Sequence, residues 1–193
     1  MLQPAVIIAK DQIRESREGR EAGRILLDAN ALDEATWPRR VPSDPGLLVV
    51  RSGFNPDPAD LQPLWLAGPR GEWARFAAHV QNLCATAGQT PVVWPCLGDV
   101  LSDAPSLLTF LRGAPAWRFV VEPLALLTPD MHRNAPEHLD RLAELLFGHH
   151  ACAGVVVGAG GPVSSLAALG KVLARAQSPI WVRDGEQAML KDL

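Results

Sequence analysis

Leu47-Leu48-Val49-Val50-Arg51 decides how the chain is to be read. Four consecutive apolar residues leave no polar alternation, so a strand here is buried on both faces, as in a parallel sheet covered by helices. The charge comes only where the run ends. Similar apolar runs recur in Ala5-Val6-Ile7-Ile8-Ala9-Lys10, Ile25-Leu26-Leu27-Asp28 and Phe119-Val120-Val121-Glu122, which also end on a charge, and in Pro91-Val92-Val93-Trp94 and Val155-Val156-Val157-Gly158, which end at a turn. A further run, Pro179-Ile180-Trp181-Val182, stops at Arg183-Asp184.

Helix patterns fall between these runs. Residues 72–87 carry Phe76, Val80 and Leu83 on one stripe and stop at Gly88; residues 103–112 follow Ser102 or Asp103. Residues 135–147 have Asn134 placed as N-cap, Pro136 in the first turn and Leu139, Leu142, Leu145 and Leu146 as the buried face. Residues 163–176 run through Leu166, Leu169, Val172 and Leu173, residues 11–23 are polar, and Glu186 to Leu193 form a short terminal helix. Alternating strand and helix without a change of composition predict a single α/β domain over 1–193. Its architecture is a TIM-barrel-like (β/α) barrel, reduced or incomplete at this length, with an open doubly wound parallel sheet as the alternative. An eighth strand has one place to hide, Leu64-Trp65-Leu66, in the Pro-rich stretch 54–70.

Composition narrows the function classes. Net charge is −3, and the densest basic stretch, Arg14 to Arg24, is interleaved with Glu15, Glu18 and Glu21. That mixture suits a solvated helix face and gives no electrostatic case for nucleic acid or an anionic membrane. No apolar run approaches the roughly 20 residues of a membrane span, and Met1-Leu2-Gln3-Pro4 lacks the features of a signal peptide, so the expected location is cytoplasmic. The three cysteines, Cys84, Cys96 and Cys152, have no CxxC spacing and are expected to be reduced, packed thiols.

From residue 72 onward the chain resembles the sugar phosphate isomerase/epimerase family, the xylose isomerase-like barrels related to endonuclease IV. The resemblance lies in Ala74 to Pro123. A helix ending Leu83-Cys84-Ala85-Thr86-Ala87-Gly88 leads to Pro91-Val92-Val93-Trp94; then come Leu101-Ser102-Asp103-Ala104-Pro105-Ser106-Leu107-Leu108-Thr109-Phe110-Leu111 and Phe119-Val120-Val121-Glu122-Pro123. Members place metal ligands at strand ends, and here the pattern departs from them. Trp94-Pro95 stands where a metal-binding Glu belongs, Glu122 where an Asp precedes Pro, Leu124-Ala125-Leu126 where a His follows, and Gly158-Ala159-Gly160-Gly161 where His-x-x-Asp closes a strand. One surviving carboxylate cannot hold a divalent ion that needs three or more converging ligands. The resemblance therefore implies a relative with a degenerate metal site and no cofactor, binding a sugar, sugar phosphate or other small polar or anionic ligand. The alternative it implies is an active isomerase or epimerase with Glu122 as acid/base.

In parallel α/β folds ligands collect at the carboxyl ends of the strands. This puts Glu122 forward as the catalytic candidate, with Lys10, Asp28, Arg51 and Arg183 as ligand-binding residues around the rim, the two arginines as anion clamps. The competing account is a ring of structural salt bridges. Asp28-Ala29-Asn30 is also good turn chemistry. His132 is the histidine nearest Glu122 in sequence and joins the ligand-binding set, whereas His149-His150 suits a solvated helix C-terminus. Gly158–Gly161 is expected to make a tight turn capped by Ser164, and Cys96 has no evident activating neighbour. Trp65, Trp94 and Trp181, near strand ends, are candidates to line a pocket.

Overall fold

Among the described residues seven parallel strands form one sheet: β1 (Val6–Ile7), β2 (Arg24–Leu26), β3 (Leu47–Arg51), β4 (Thr90–Trp94), β5 (Arg118–Val121), β6 (Cys152–Val157) and β7 (Ile180–Arg183). They are ordered β1-β7-β6-β5-β4-β3-β2, and every neighbouring pair is parallel. The structure is a computed structural model and describes residues 6–7, 24–27, 29–41, 46–55, 63–157 and 162–183. All seven apolar runs are strands, so the chain is α/β with a parallel sheet. The helices expected at 11–23 and after Glu186 lie outside the described residues.

Among the described residues four α-helices accompany the sheet: α1 (Ala67–Ala87), α2 (Ala104–Gly113), α3 (Ala135–Leu142) and α4 (Val163–Leu173). Helix α1 ends because Gly88 adopts the left-handed conformation (φ 68°) and returns its N–H to the Cys84 carbonyl. Helix α2 begins with a capping box in which Asp103 accepts from the Ser106 N–H at 2.7 Å. Helix α3 continues as one π-helical turn over Ala143–Phe147.

Two expectations are corrected here. Leu64-Trp65-Leu66 is no strand: Leu64 and Trp65 form a turn and Leu66 is the N-cap of α1, which therefore starts five residues earlier than the stripe suggested. Trp65 is 67% exposed, so its neighbourhood lacks the burial that keeps a strand in a sheet. Ser164 does not cap α4, whose N-cap is Pro162 with no side-chain bond. Asn134 does stand at the N-cap of α3 as expected, and its side-chain amide donates to Glu137 in place of a bond to the backbone.

The two sheet faces are unlike. Leu48, Val50, Val93, Phe119, Val121, Val155 and Val157 pack in one cluster with Trp73, Phe76, Val80, Leu107, Leu139, Leu146, Phe147, Leu169 and Val172 from the helical segments. All four helices thus contribute to the same side. The opposite face gathers Val49, Val92, Trp94, Val120, Ala153 and Val156, all from strands β3–β6, and among the described residues no helix residue joins this cluster. A register shift between Phe119 and Val120, opposite Cys152 and Gly154, explains how Ala153 and Val156 share a face despite their spacing.

Among the described residues no helix is long and apolar enough to cross a membrane.

Candidate functional site

Strand alternation places the chemistry. Val49 lies on the helix-free face, and a pleat later Arg51 stands on that face at the end of β3. Arg51 pairs in register with Trp94, itself part of the helix-free cluster and 5% exposed. On β5 Val120 belongs to the same cluster, so the extended residue Glu122 follows on its side, 4% exposed, where a helix-turn over Pro123–Leu126 begins. Arg51, Trp94 and Glu122 therefore share one face at the carboxyl end of three adjacent strands.

The loops leaving these strands are fastened to one another. After β4 the chain turns at Gly98, whose φ of 83° suits glycine, and brings Asp99 back to Arg51. Arg51 Nε donates to Asp99 Oδ2 at 3.0 Å, a second guanidinium nitrogen donates to Oδ1, and the guanidinium carbon sits 4.6 Å from the centre of the Phe54 ring. Asp99 also bridges Phe54 through the backbone; Val100 N–H reaches the Gly53 carbonyl, and Leu101 N–H reaches the buried Ser52 hydroxyl at 2.9 Å. From the β2 side Asn30 accepts from Phe54 N–H and Leu32 N–H at 3.1 Å each and donates to the Phe54 carbonyl at 2.7 Å. Leu97 N–H bonds the Ala125 carbonyl after β5. Four strand-following loops form one connected rim, which removes the ordering cost a ligand would otherwise meet.

The electrostatics of the rim turn on Asp99. Its side chain is fully buried, and removal from water pushes its carboxyl up to about 6 although the Arg51 hydrogen bonds and charge pull it down. The Arg51 side chain is 38% exposed, so it faces both its carboxylate and solvent. Arg51 also interacts with the half-buried Cys96 thiol, a neighbour that was not evident from the sequence. Burial pushes the Cys84 thiol up to about 11 and raises that of Cys152, so both behave as the packed thiols foreseen.

The predicted residues separate into groups. Arg51 and Glu122 come together on one face. Arg183 ends β7 opposite Ile7, at the same pole in a parallel sheet, with only its backbone described. Lys10, Asp28 and Gly158–Gly161 lie outside the described residues, as does the side chain of Trp181. His132 Nδ1 bonds the buried Ser165 hydroxyl at 3.0 Å and ties the loop after β5 to α4. Trp65 is too exposed to line a pocket wall, whereas Trp94 is on the shared face. Asp99 and Asn30 escape a reading based on strand ends, because both act from loops; Gly98-Asp99, a turn pair directly after a strand, is the one local clue.

Among the described residues no group of three or more His, Cys, Asp and Glu side chains stands where it would hold a metal ion. The geometry defines an α/β protein with a rigid polar rim at the carboxyl ends of its strands. The chain matches no protein-family model and no curated protein.

Proposed function

We propose that the chain is a reduced (β/α) barrel-like protein of the sugar phosphate isomerase/epimerase type. In this reading its metal site is degenerate and it binds a small polar or anionic ligand at the carboxyl ends of its strands. The curled sheet is supported by the strand order, consecutive from β2 to β7 with β1 beside β7, and by the contact of β1 with β2. An open doubly wound sheet is built with a reversal of strand order and helices over both faces, while among the described residues the four helices pack on one face. The observation that carries the ligand reading is the placement of Arg51, Trp94 and Glu122 on the helix-free face at one end. A guanidinium with part of its surface in water suits a phosphate or carboxylate, an indole face suits a sugar ring, and a buried carboxylate accepts from hydroxyls.

The test is calorimetric titration with xylose, ribose 5-phosphate and inorganic phosphate. Saturable binding of the sugar phosphate, weakened about tenfold or more by Arg51→Met and by Glu122→Gln, is the expected result. Binding that neither substitution alters overturns the reading. The burial of Glu122 also favours the catalytic alternative, in which it moves a proton between carbons of a sugar. Isomer interconversion lost in Glu122→Gln with binding retained would establish that reading, and stoichiometric uptake of Mn²⁺ would count against a degenerate metal site.

A further inference from the structure

At the opposite end of the sheet a cavity of about 210 Å³ opens below the starts of β5 and β6. Its apolar walls include Leu108, Leu111 and Trp117, the last two buried, and its polar side chains are Arg112, His149 and His150. Every titratable side chain in the lining is basic, in a protein whose net charge is −3. We propose that this cavity binds a small organic anion with an apolar body, a ring or branched hydrocarbon bearing one carboxylate, independently of the rim at the other end.

The local chemistry supports that choice. His149 sits on the Phe119 ring (5.8 Å between centroids), and its Nδ1 accepts the Ala151 N–H at 3.1 Å, which leaves Nε2 to donate. His150 stacks on His149 with centroids 4.4 Å apart. Burial first, and the neighbouring His150 second, lower the His149 pKa, and an anion at the site would oppose that lowering. Arg112, exposed at the end of α2, spends one nitrogen on Thr109 at 3.0 Å and has further donors. An apolar floor with the Arg112 guanidinium and two imidazoles at its rim discriminates against neutral ligands, which lack the charge, and against inorganic phosphate, which lacks the hydrocarbon.

The experiment is an NMR titration of the full chain with sodium benzoate, benzamide and inorganic phosphate at constant ionic strength, near the ordinary imidazole pKa of about 6.5. Benzoate is expected to shift the Trp117 indole and the His149 and His150 ring resonances saturably, with benzamide and phosphate each about tenfold weaker or more. Arg112→Gln and the pair Arg112→Gln/His150→Gln change only exposed side chains, and each should erase the preference for benzoate over benzamide. Equal affinity for benzoate and benzamide overturns the proposal. So does phosphate binding that matches benzoate, the absence of a saturable Trp117 shift, or a preference that survives both variants.

Discussion

Arg51 and Asp99 join two loops through a two-point ion pair whose partners have unequal access to water: the carboxylate side chain is fully buried and the guanidinium side chain is 38% exposed. Breaking a buried pair from one side strands the other charge, at about 3–5 kcal/mol when that charge has no escape. Arg51→Met strands Asp99 in that way and is expected to cost about 3 kcal/mol near neutral pH. Asp99→Ala leaves an arginine that can turn to solvent and should cost about 1 kcal/mol, in the range of exposed pairs. Urea denaturation of both variants, with unchanged slope, measures the difference. Equal losses would show that the pair is not asymmetric.

The same burial sets a pH dependence. The Asp99 carboxyl titrates at about 6 in the folded chain against 3.8 ordinarily. Between those values the folded state holds more protons than the unfolded state, so this group's contribution to stability is present at the acid end and is lost as pH rises through the window. The shift corresponds to a loss on the order of 3 kcal/mol. Asp99→Asn cannot ionise; its stability relative to the parent chain should rise as pH is taken from about 4 to about 7, on the linkage just stated. A stability difference that is flat with pH would refute the assignment of this titration to Asp99.

Gly53 and Asn30 hold the β2 and β3 loops in register. Gly53 has φ 99°, and an added Cβ would meet Ala31 Cβ and Leu32 Cγ at 3.0 Å. Gly53→Ala combines backbone strain with this close approach and is expected to destabilise by at least about 2 kcal/mol. Asn30→Ala removes both bonds to the Phe54 backbone and should cost about 2–4 kcal/mol, the penalty for buried groups left unpaired. Thermal melts read both. Hydrogen exchange adds a local readout, since loss of the latch should speed exchange at Phe54 N–H before the sheet opens.

How much was legible follows from where burial is encoded. The strands were, because a run such as Val155-Val156-Val157 has few alternatives to a doubly buried strand, and all three residues are at most 2% exposed. Arg51 and Glu122 were legible as strand terminators. Their surroundings were not, because Asp99 lies 48 residues beyond Arg51 and the bond depends on a glycine turn, not on periodicity. Leu64-Trp65-Leu66 misled because three apolar residues carry no period of their own, so the turn and helix start there leave Trp65 in water. The hydrogen bond of His132 to Ser165, 33 positions away, was not legible, because no local pattern links the loop after β5 to α4.

Cys96 offers a probe of the rim that requires no knowledge of the ligand. Cys84 and Cys152 are buried, with thiols held above their ordinary range, while Cys96 is half-buried beside Arg51. Iodoacetamide should therefore modify one site per chain under native conditions, at Cys96, and reach the other two only when the core opens, because reactivity follows access and thiolate character. Peptide mass spectrometry locates the label. A ligand held by Arg51 would cover the same sulfur, so ribose 5-phosphate at saturating concentration should slow labelling of Cys96 by about tenfold, the factor by which bound protein exceeds free at that occupancy. Labelling at Cys84 in denaturant should be unaffected, and unchanged kinetics at Cys96 in the presence of bound sugar phosphate would place that ligand away from the β3–β4 rim.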